Sequence, residues 1–414
     1  MSTIHPESLQ RRGGILYTRS VRFPRGRPTA RPSRAPSLRN GERMTRRFFL
    51  CYLETTRRCN LSCPYCMSRL PEPPARPELT GDEIKHLVLD EMKKYTPDAA
   101  VAFSGGEFLQ RPDAPDILRY NASIGLWSFI NTNGTTLTPE LARDIRTASD
   151  GKAVVVFPLN SVDDAVHSWS RADSLSTVAR AARACARHRV PFFFLITVSK
   201  ANLATLRKTM RALQWRGIPM LRAPFVPRGA GRDHRHLCFT RGDMERVIHP
   251  ALRDHWLSYV SYTPFFAAPE FIEQQCGSDV ILGQLGCQAA KGFIGVSAEG
   301  EVTPCVQLLD STVSCGNVRD TPLLDIITKN ETLVALRARN ALTGKCGRCR
   351  YKHTCGGCRA LAFYHSGDVF AEDPTCFFEP ADENTVSPLE PMQNRNTAKF
   401  IRFLRKHNPW KNLF

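Results

Sequence analysis

The sequence has no hydrophobic stretch long enough to cross a lipid bilayer. Its longest mostly apolar run, residues 190–198, is far shorter than the roughly 18 residues that a membrane-spanning helix needs. No secretory signal peptide opens the chain, so its 15 cysteines are not expected to form the disulfides of a secreted protein. We therefore expect a cytoplasmic protein without a membrane partner.

Acidic and aromatic residues are scarce in the first 47 residues. This segment has twelve arginines and two acids, which account for +10 of the net charge of +18. Rich in Pro, Arg, Ser and Gly, it buries too little apolar surface to fold, so we expect a disordered basic tail over residues 1–47. Nucleic-acid binding is not expected, because no platform of aromatic side chains accompanies the charge. A solvated extension is favoured over an organelle transit peptide, since the prolines would break an amphipathic helix.

After the tail, strand-length apolar runs alternate with helix-length amphipathic segments, which is the pattern of βα units on a parallel sheet. Strands are predicted at 48–54, 99–103, 127–131, 153–159, 192–198 and 220–225. Helices are predicted at 81–94, 115–124, 139–148, 174–188 and 203–216. The six repeats predict an α/β fold, a partial (β/α)6 barrel over 48–235, with ligands bound at the carboxyl ends of its strands.

Three cysteines, Cys59, Cys63 and Cys66, lie in the loop after the first predicted strand, and no fourth ligand follows them there. Three thiolates can hold three irons of a [4Fe–4S] cluster and leave the fourth iron open. A structural zinc site is the alternative, but zinc prefers four ligands at shorter spacing. Zinc would also not explain the glycine pair Gly105 and Gly106 at the end of the second strand, where glycine lets the backbone approach a ligand closely.

The two motifs together resemble those of the radical S-adenosylmethionine (SAM) enzymes. They are the loop Cys59-Asn60-Leu61-Ser62-Cys63-Pro64-Tyr65-Cys66 and the sequence Ser104-Gly105-Gly106-Glu107. The resemblance implies that the open iron chelates SAM and that an electron from the cluster cleaves SAM to a 5′-deoxyadenosyl radical. It also implies that SAM is bound by residues at the ends of the first four strands: Tyr65, Gly105, Gly106, Glu107, Thr132, Asn133, Asn160 and Arg171.

Two of these residues depart from the family pattern or carry a specific expected role. Asn160 stands where relatives commonly have Asp, and Pro158 stands where they commonly have Ser. Arg171 is the candidate partner of the SAM carboxylate, through a charge-assisted hydrogen bond. His167 is interpreted as a structural residue.

Beyond residue 275 the βα alternation stops, and eight cysteines follow Cys276. Their spacing resembles the SPASM domain, an extension that binds auxiliary [4Fe–4S] clusters. The sequence Cys355-Gly356-Gly357-Cys358-Arg359-Ala360 and the later run Ala371-Glu372-Asp373-Pro374-Thr375-Cys376 look most like the branch that includes mycofactocin maturases and haem-side-chain enzymes. We expect this domain at 281–385, after a bridging region at 236–280 and before a C-terminal tail at 386–414. A zinc ribbon is the alternative that paired cysteines alone would support.

The SPASM resemblance also implies which cysteines share a cluster. One set of four holds one auxiliary cluster: Cys346, Cys349, Cys355 and Cys376. Cys287, Cys305 and Cys358 hold a second one, whose fourth position is open or filled by Cys315 or Cys276. The spacer between Cys355 and Cys358 is one residue shorter than in the commonest family pattern, so the number of auxiliary clusters stays at one or two.

The resemblance implies an enzyme that abstracts hydrogen from an unactivated C–H bond. The favoured substrate is a ribosomally made peptide, modified by crosslinking, desaturation or oxidative decarboxylation. Alternatives are side-chain decarboxylation or cleavage of a haem-type tetrapyrrole, oxidation or epimerisation of a sugar, aminocyclitol or nucleoside, and a non-enzymatic Fe–S redox protein. Expected partners are an electron donor such as flavodoxin or ferredoxin and a separate carrier protein for a peptide. Arg222 and Arg228 are candidates to meet an anionic substrate group.

Overall fold

The computed structural model describes residues 49–380, except for 98, 217, 219, 249, 252–257, 262–285 and 354. The predicted basic tail, most of the predicted bridging region with Cys276, and the C-terminal tail lie outside the described residues. Among the described residues, no helix has both the length and the apolarity that a membrane span requires.

Six parallel strands form the centre of the fold, and each pairs with the next one in the chain. Their consecutive order confirms the predicted partial barrel, because each strand returns to the sheet through a helix packed on its outer face. The strands are β1 (Phe49–Thr56), β2 (Ala99–Gly105), β3 (Trp127–Asn131), β4 (Ala153–Pro158), β5 (Phe192–Val198) and β6 (Met220–Pro224).

The helices of the barrel begin at polar N-caps that the sequence supplies. Thr80 and Glu83 form a capping box at the start of α1, and Thr138 caps α3 by accepting a hydrogen bond from the Leu141 amide. The first helix, α1, runs from Gly81–Glu83 through a π-helical stretch, Ile84–Leu89, to Asp90–Tyr95. The others are α2 (Ala114–Ser123), α3 (Pro139–Ala148), α4 (Asp164–Arg171), α5 (Leu175–Arg187) and α6 (Leu203–Trp215).

The C-terminal part of the chain joins the same sheet. Strand β7 (Ser258–Ser261) extends the sheet beyond β6, while β8 (Phe293–Val296) pairs in parallel with β1 and carries the short antiparallel strand β9 (Val302–Thr303). Four helices follow: α7 (Leu323–Lys329), α8 (Glu331–Ala338), α9 (Gly344–Arg348) and α10 (Arg359–Ser366). The region that carries the second group of cysteines is therefore hydrogen-bonded to the barrel through β1.

The strands are buried on both faces, as expected for a parallel sheet covered by helices. The large apolar core lies between the sheet and the helices, and alternate residues face the inside of the barrel. The inner face has its own small cluster, in which Ala100 and Ala102 of β2 pack with Phe129, Val154 and Val156. These side chains fill the lower barrel, and a cavity remains at the carboxyl ends of the strands.

Candidate functional site

The central cavity lies where the sequence predicts a ligand site. Its volume is about 190 Å³. Its walls come from the ends of β1 to β6, from the loop after β1 and from residues 305–307 of the C-terminal region. The predicted SAM-site residues that line it are Tyr65, Gly105, Gly106, Thr132, Asn133 and Arg171, together with all three loop cysteines, Cys59, Cys63 and Cys66.

The loop that carries these cysteines, residues 57–69, is called the cluster loop below. Cys59 is exposed, Cys63 is buried, and Cys66 is half-buried, so the trio spans the wall from solvent to interior. The Cys63 sulfur lies 3.0 Å from the carbonyl oxygen of Arg171, which places the loop against the end of α4. All three thiols face one cavity, as a shared cluster requires.

The glycine pair holds the cluster loop rather than only approaching a ligand. The Gly106 amide donates to the Thr56 carbonyl at 2.7 Å, and the Glu107 amide donates to the Arg58 carbonyl at 2.8 Å. A Cβ added at Gly106 would lie 1.9 Å from the Arg58 oxygen, and Gly105 has a φ of +111°. Only glycine fits both positions. The motif is therefore needed for the backbone contact between β2 and the cluster loop.

Glu107 is fully buried and does not line the cavity. Its carboxylate accepts hydrogen bonds from the amide of Asn133 at 2.8 Å and from the amide of Leu109 at 3.2 Å. Burial raises the pKa of Glu107 above its usual value, and the hydrogen bonds from Asn133 and Thr132 oppose that shift. In this arrangement Glu107 fixes the position of Asn133, whose side chain faces the cavity.

Asn160 is fully buried, and its side chain and backbone carbonyl are taken up by protein partners. Its amide nitrogen donates to the Tyr65 hydroxyl and to the Ser170 hydroxyl, both at 3.0 Å, and its side-chain oxygen accepts from the Thr197 amide at 3.0 Å. It thus joins the cluster loop, α4 and β5. The structure places it behind Tyr65 and not in the cavity wall.

Arg171 points into the cavity region with an unsatisfied donor. Its Nε is buried and has no hydrogen-bond partner within the described part of the chain. Burial lowers the pKa of a guanidinium, but the neighbouring Cys63 and Cys66 thiolates outweigh this effect and raise the pKa of Arg171. A buried cationic donor beside three thiols fits the carboxylate of a cluster-bound amino acid such as SAM.

The four cysteines predicted to share an auxiliary cluster surround a second, smaller cavity: Cys346, Cys349, Cys355 and Cys376. Backbone amides donate to their sulfurs, from Asp373 to Cys346 at 3.5 Å and from Tyr351 to Cys349 at 3.4 Å. Such donors stabilise thiolates. The short spacer contributes to this geometry, because Gly356 and Gly357 both have positive φ and a Cβ on Gly357 would lie 2.8 Å from the Cys346 sulfur.

The other predicted trio, Cys287, Cys305 and Cys358, is buried nearby. Burial, followed by the charges of Cys287, Asp373 and Cys305, raises the pKa of Cys358 well above its usual value, so these thiols lie within electrostatic reach of each other. Cys305 also lines the central cavity, which brings this trio to the substrate side of the barrel. Cys315 lies on the neighbouring turn, where its amide donates to Val302 and its thiol interacts with Glu301, so its role as a fourth ligand stays a prediction.

Two buried arginines lie next to these cysteines, where their positive charges can balance the negative charge of thiolates. Arg359 is fully buried and its guanidinium donates to the Cys346 sulfur at 3.6 Å. Arg339 is 2% exposed and donates to the Cys287 carbonyl, and its Nε and Nη1 have no hydrogen-bond partner among the described residues. A buried cation without a partner is costly unless a negative charge lies beside it, as a thiolate-ligated cluster provides.

Within the described ranges, no group of three or more His, Cys, Asp or Glu side chains is arranged to hold one metal ion. The cysteines surround cavities instead.

A buried ionic network joins the cluster loop to the C-terminal region. Arg57 donates to Glu299 at 2.8 and 3.0 Å and to Asp310 at 2.8 and 3.2 Å. Arg228, which is fully buried, donates to Glu54 at 3.1 Å and to Asp310 at 2.5 Å. Its Nη1 also reaches the Val306 carbonyl, next to Cys305. The guanidinium of Arg228 is therefore occupied by protein partners. The prediction that Arg228 binds an anionic group of the substrate was wrong.

The structure thus combines a partial α/β barrel with three sets of cysteines, one at the mouth of the barrel and two in a region bonded to its edge. This is the architecture of an iron–sulfur enzyme. A family model described as the radical SAM superfamily matches residues 53–213, and one described as an iron-sulfur cluster-binding domain, SPASM, matches residues 287–350.

Similar proteins agree with these matches. The AdoMet-dependent heme synthase of Methanosarcina barkeri is 31% identical over 340 residues, which cover 79% of this chain and 95% of that protein. A PqqA peptide cyclase of Streptomyces rochei is 26% identical over 335 residues, covering 79% and 89%. The crystal structure of Streptococcus suis SuiB bound to S-adenosylmethionine superposes with a TM-score of 0.61 at 14% identity, covering 80% of this chain and 78% of that one.

The chain belongs to the radical SAM superfamily and carries a SPASM domain. It is an enzyme whose cofactors are SAM, the [4Fe–4S] cluster that binds SAM, and one or two auxiliary [4Fe–4S] clusters. When bound, the first cluster supplies the electron that cleaves SAM to a radical, and an auxiliary cluster can accept or pass on an electron.

Proposed function

We propose that this enzyme oxidises a propionate side chain of a haem-type tetrapyrrole, with loss of carbon dioxide, in the cytoplasm. The observation that carries the proposal is the 31% identity to an AdoMet-dependent heme synthase over 95% of that protein. Two further heme synthases are each 28% identical over most of their length. This substrate is the second of the candidates that the sequence left open.

The walls of the central cavity support an oxidation of a saturated side chain. They are formed by apolar and aromatic groups, among them Tyr52, Val156, Leu195 and Phe225, which exclude water from a reactive radical. The proposed sites for SAM and for the trio with Cys305 border the same cavity, so a side chain placed there would lie between them.

The proposed oxidation requires an acceptor for a second electron. Conversion of a propionate to a vinyl group releases carbon dioxide, a proton and two electrons, of which one leaves with the hydrogen atom taken by the radical. The chain's own contribution is to hold the substrate beside Cys305, whose partners Cys287 and Cys358 are buried. We infer that these cysteines hold the group that accepts the remaining electron.

A peptide substrate is the second candidate, since a PqqA peptide cyclase is 26% identical over 89% of its length. The test incubates the anaerobically reconstituted enzyme with SAM and dithionite, and adds either iron-coproporphyrin III or a PqqA peptide. We expect 5′-deoxyadenosine formation to accelerate with the tetrapyrrole, and mass spectrometry to show loss of carbon dioxide and two hydrogens per modified side chain.

The matched control compares two cysteine variants. Cys63→Ala should form no 5′-deoxyadenosine, whereas Cys185→Ala, which changes a buried cysteine on α5 away from the cavity, should behave as the unsubstituted enzyme. Acceleration and modification by the peptide alone would replace the tetrapyrrole proposal with the peptide one. No response to either molecule would refute both substrates while leaving the family assignment intact.

A further inference from the structure

A large aromatic side chain connects the protein surface to the cluster loop. Trp169 on α4 is 46% exposed, and its ring centroid lies 5.7 Å from that of Tyr65. Tyr65 in turn lies between Cys63 and Cys66 in the chain and lines the central cavity. A single exposed apolar side chain needs no explanation. This one is in direct contact with the residue that separates two cluster cysteines.

Two anchors hold this surface against the cluster loop. The end of α4 is tied to the loop through Asn160, whose side-chain amide donates to the Tyr65 hydroxyl and to the Ser170 hydroxyl, both at 3.0 Å. The 3₁₀-helical segment Gly229–Leu237 is tied to it by a hydrogen bond of 3.0 Å from the Ala230 amide to the Cys66 carbonyl. At Gly229, with a φ of +56°, an added Cβ would lie 2.7 Å from that same carbonyl. The surface is therefore connected to the cluster loop on two sides.

Ring contacts continue from Trp169 into that segment. The His234 ring lies 6.4 Å from Trp169 in an edge-on arrangement, and the His236 ring lies 5.7 Å from His234. Arg232, Arg235 and His236 are exposed. We call Trp169, Arg232, His234, Arg235 and His236 together the Trp169 surface.

The segments packed beside α4 carry an excess of arginine, while three acids lie at or next to the ends of α4 itself: Asp163, Asp164 and Asp173. The cluster loop, residues 57–69, contains three arginines and no acid, and residues 226–238 contain three arginines and one acid, Asp233. Arg57 and Arg228 form ion pairs within the buried ionic network. The other arginines of the two segments are exposed: Arg58, Arg69, Arg232 and Arg235. A partner that docks here must present carboxylates opposite these guanidiniums.

The geometry points to the Trp169 surface as the docking site of an acidic protein that carries single electrons. SAM cleavage consumes an electron that must enter from outside, and transfer between proteins requires that the carrier come close to the accepting cluster. This surface contacts the cluster loop at Tyr65, and Cys59 of the same loop is exposed. In the transfer, the reduced carrier loses one electron and the cluster held by Cys59, Cys63 and Cys66 gains it, with no exchange of atoms.

The character of the surface agrees with an electron-transfer encounter. Such complexes bury little area, form transiently and depend on charge steering, which a small aromatic centre with a cationic rim provides. The inference rests on the family assignment and is independent of which substrate the enzyme modifies. A substrate entering over the same surface is the competing explanation, and the experiment separates the two.

The test compares two reductants on the reconstituted full-length enzyme. Reduction of the SAM-binding cluster is followed by electron paramagnetic resonance after mixing with reduced flavodoxin or with dithionite. With flavodoxin, Trp169→Ala should lower the second-order rate constant about tenfold, as loss of a central aromatic contact does. Arg235→Glu should lower it by about tenfold at low ionic strength, and the effect should fade as salt screens the charge. With dithionite, both variants should be reduced as fast as the unsubstituted enzyme.

Matched controls lie at the other end of the barrel. Trp215 is 83% exposed and Arg216 follows it at the end of α6, next to the amino end of β6. Trp215→Ala and Arg216→Glu should leave both reductions unchanged. Binding of oxidised flavodoxin, measured by calorimetry without turnover, should weaken in the first pair of variants and not in the second.

Any of three results would overturn the inference. If flavodoxin reduces and binds Trp169→Ala and Arg235→Glu as it does the unsubstituted enzyme, the carrier docks elsewhere. If the rate with dithionite falls as much as the rate with flavodoxin, the substitutions have disturbed the cluster loop itself. If reduction is unchanged but substrate binding weakens, the surface receives substrate.

Discussion

Removing the cation at the centre of the buried ionic network should destabilise the protein more than removing one of its anions. Arg228 is fully buried, and its partner Glu54 is 1% exposed. The network has two guanidiniums, on Arg57 and Arg228, and three carboxylates, on Glu54, Glu299 and Asp310. Arg228→Met leaves one cation for three anions, with Glu54 enclosed.

The loss of stability depends on how many buried charges each substitution leaves without a counter-charge. Breaking a buried ion pair by removing one partner costs about 3–5 kcal/mol, because the remaining charge stays desolvated. Asp310→Asn instead leaves two carboxylates facing two guanidiniums, so the charges balance. Its expected cost is about 1–2 kcal/mol, from weaker hydrogen bonds to Arg57 and Arg228. Arg228 and Arg57 currently offset the effect of burial on Asp310 and hold its pKa below the usual value.

The assay is urea unfolding of anaerobically prepared variants at matched iron content, because bound clusters make unfolding depart from a two-state transition. A double substitution completes the test. Glu54→Gln in the Arg228→Met background removes one of the excess buried negative charges and should recover part of the lost stability, which a double-mutant cycle measures. If Arg228→Met costs no more than Asp310→Asn, or if Glu54→Gln adds its cost to that of Arg228→Met, the network does not act through buried charge.

Three further predictions concern the cysteines, the glycine pair and Arg171. Cys376→Ser should lower the iron content by about four per chain, one cubane cluster, whereas Cys185→Ser should not change it; equal iron in both variants would exclude Cys376 as a ligand. Gly106→Ala should abolish SAM cleavage and retain the auxiliary clusters, because the new Cβ would collide with the Arg58 carbonyl. The control is Gly151→Ala, whose Cβ would meet nothing within 4 Å. It should lower the free energy of unfolding by only about 1 kcal/mol, because of the positive φ at that position. Arg171→Met should raise the Kd for SAM in calorimetry by about tenfold or more, and an unchanged Kd would remove Arg171 from the SAM site.

The barrel was predictable because local patterns determine it. The bounds of β3 and β5 match the predicted ranges, since each is a short apolar run closed by turn residues. The predicted strand at 48–54 extends to Thr56, because β1 is also held by β2 at the point where the chain enters the cluster loop. Strand β8 was missed: it has four residues, and it forms by pairing with a strand more than 200 positions earlier.

The sequence predicts the candidate site from residue types and spacing, and the structure adds the contacts that surround those residues. Cysteine and glycine spacing identified the cluster loop, because few arrangements other than a cluster need those residue types together. The roles of Glu107 and Asn160 could not be predicted in this way. Both are polar residues at strand ends, and only burial and hydrogen-bond partners show that they position Asn133 and Tyr65. No periodic signal marks a pairing such as Arg57 with Glu299, 242 positions apart.

The contacts between the two cysteine-bearing parts imply that their distance is set by the fold. Strand β8 pairs along β1, and the cluster loop begins directly after β1. Arg57, two residues before Cys59, binds Glu299 and Asp310, and Arg228 binds the carbonyl next to Cys305. A further contact joins the two parts: Arg319 of the C-terminal region forms a bidentate ion pair with Glu83 at the start of α1, with nitrogen–oxygen distances of 2.7 and 2.9 Å. These contacts hold the C-terminal cysteines against the barrel at several points, so a substitution that breaks one of them should change the distance between the cysteine sets, on which the rate of electron transfer depends steeply.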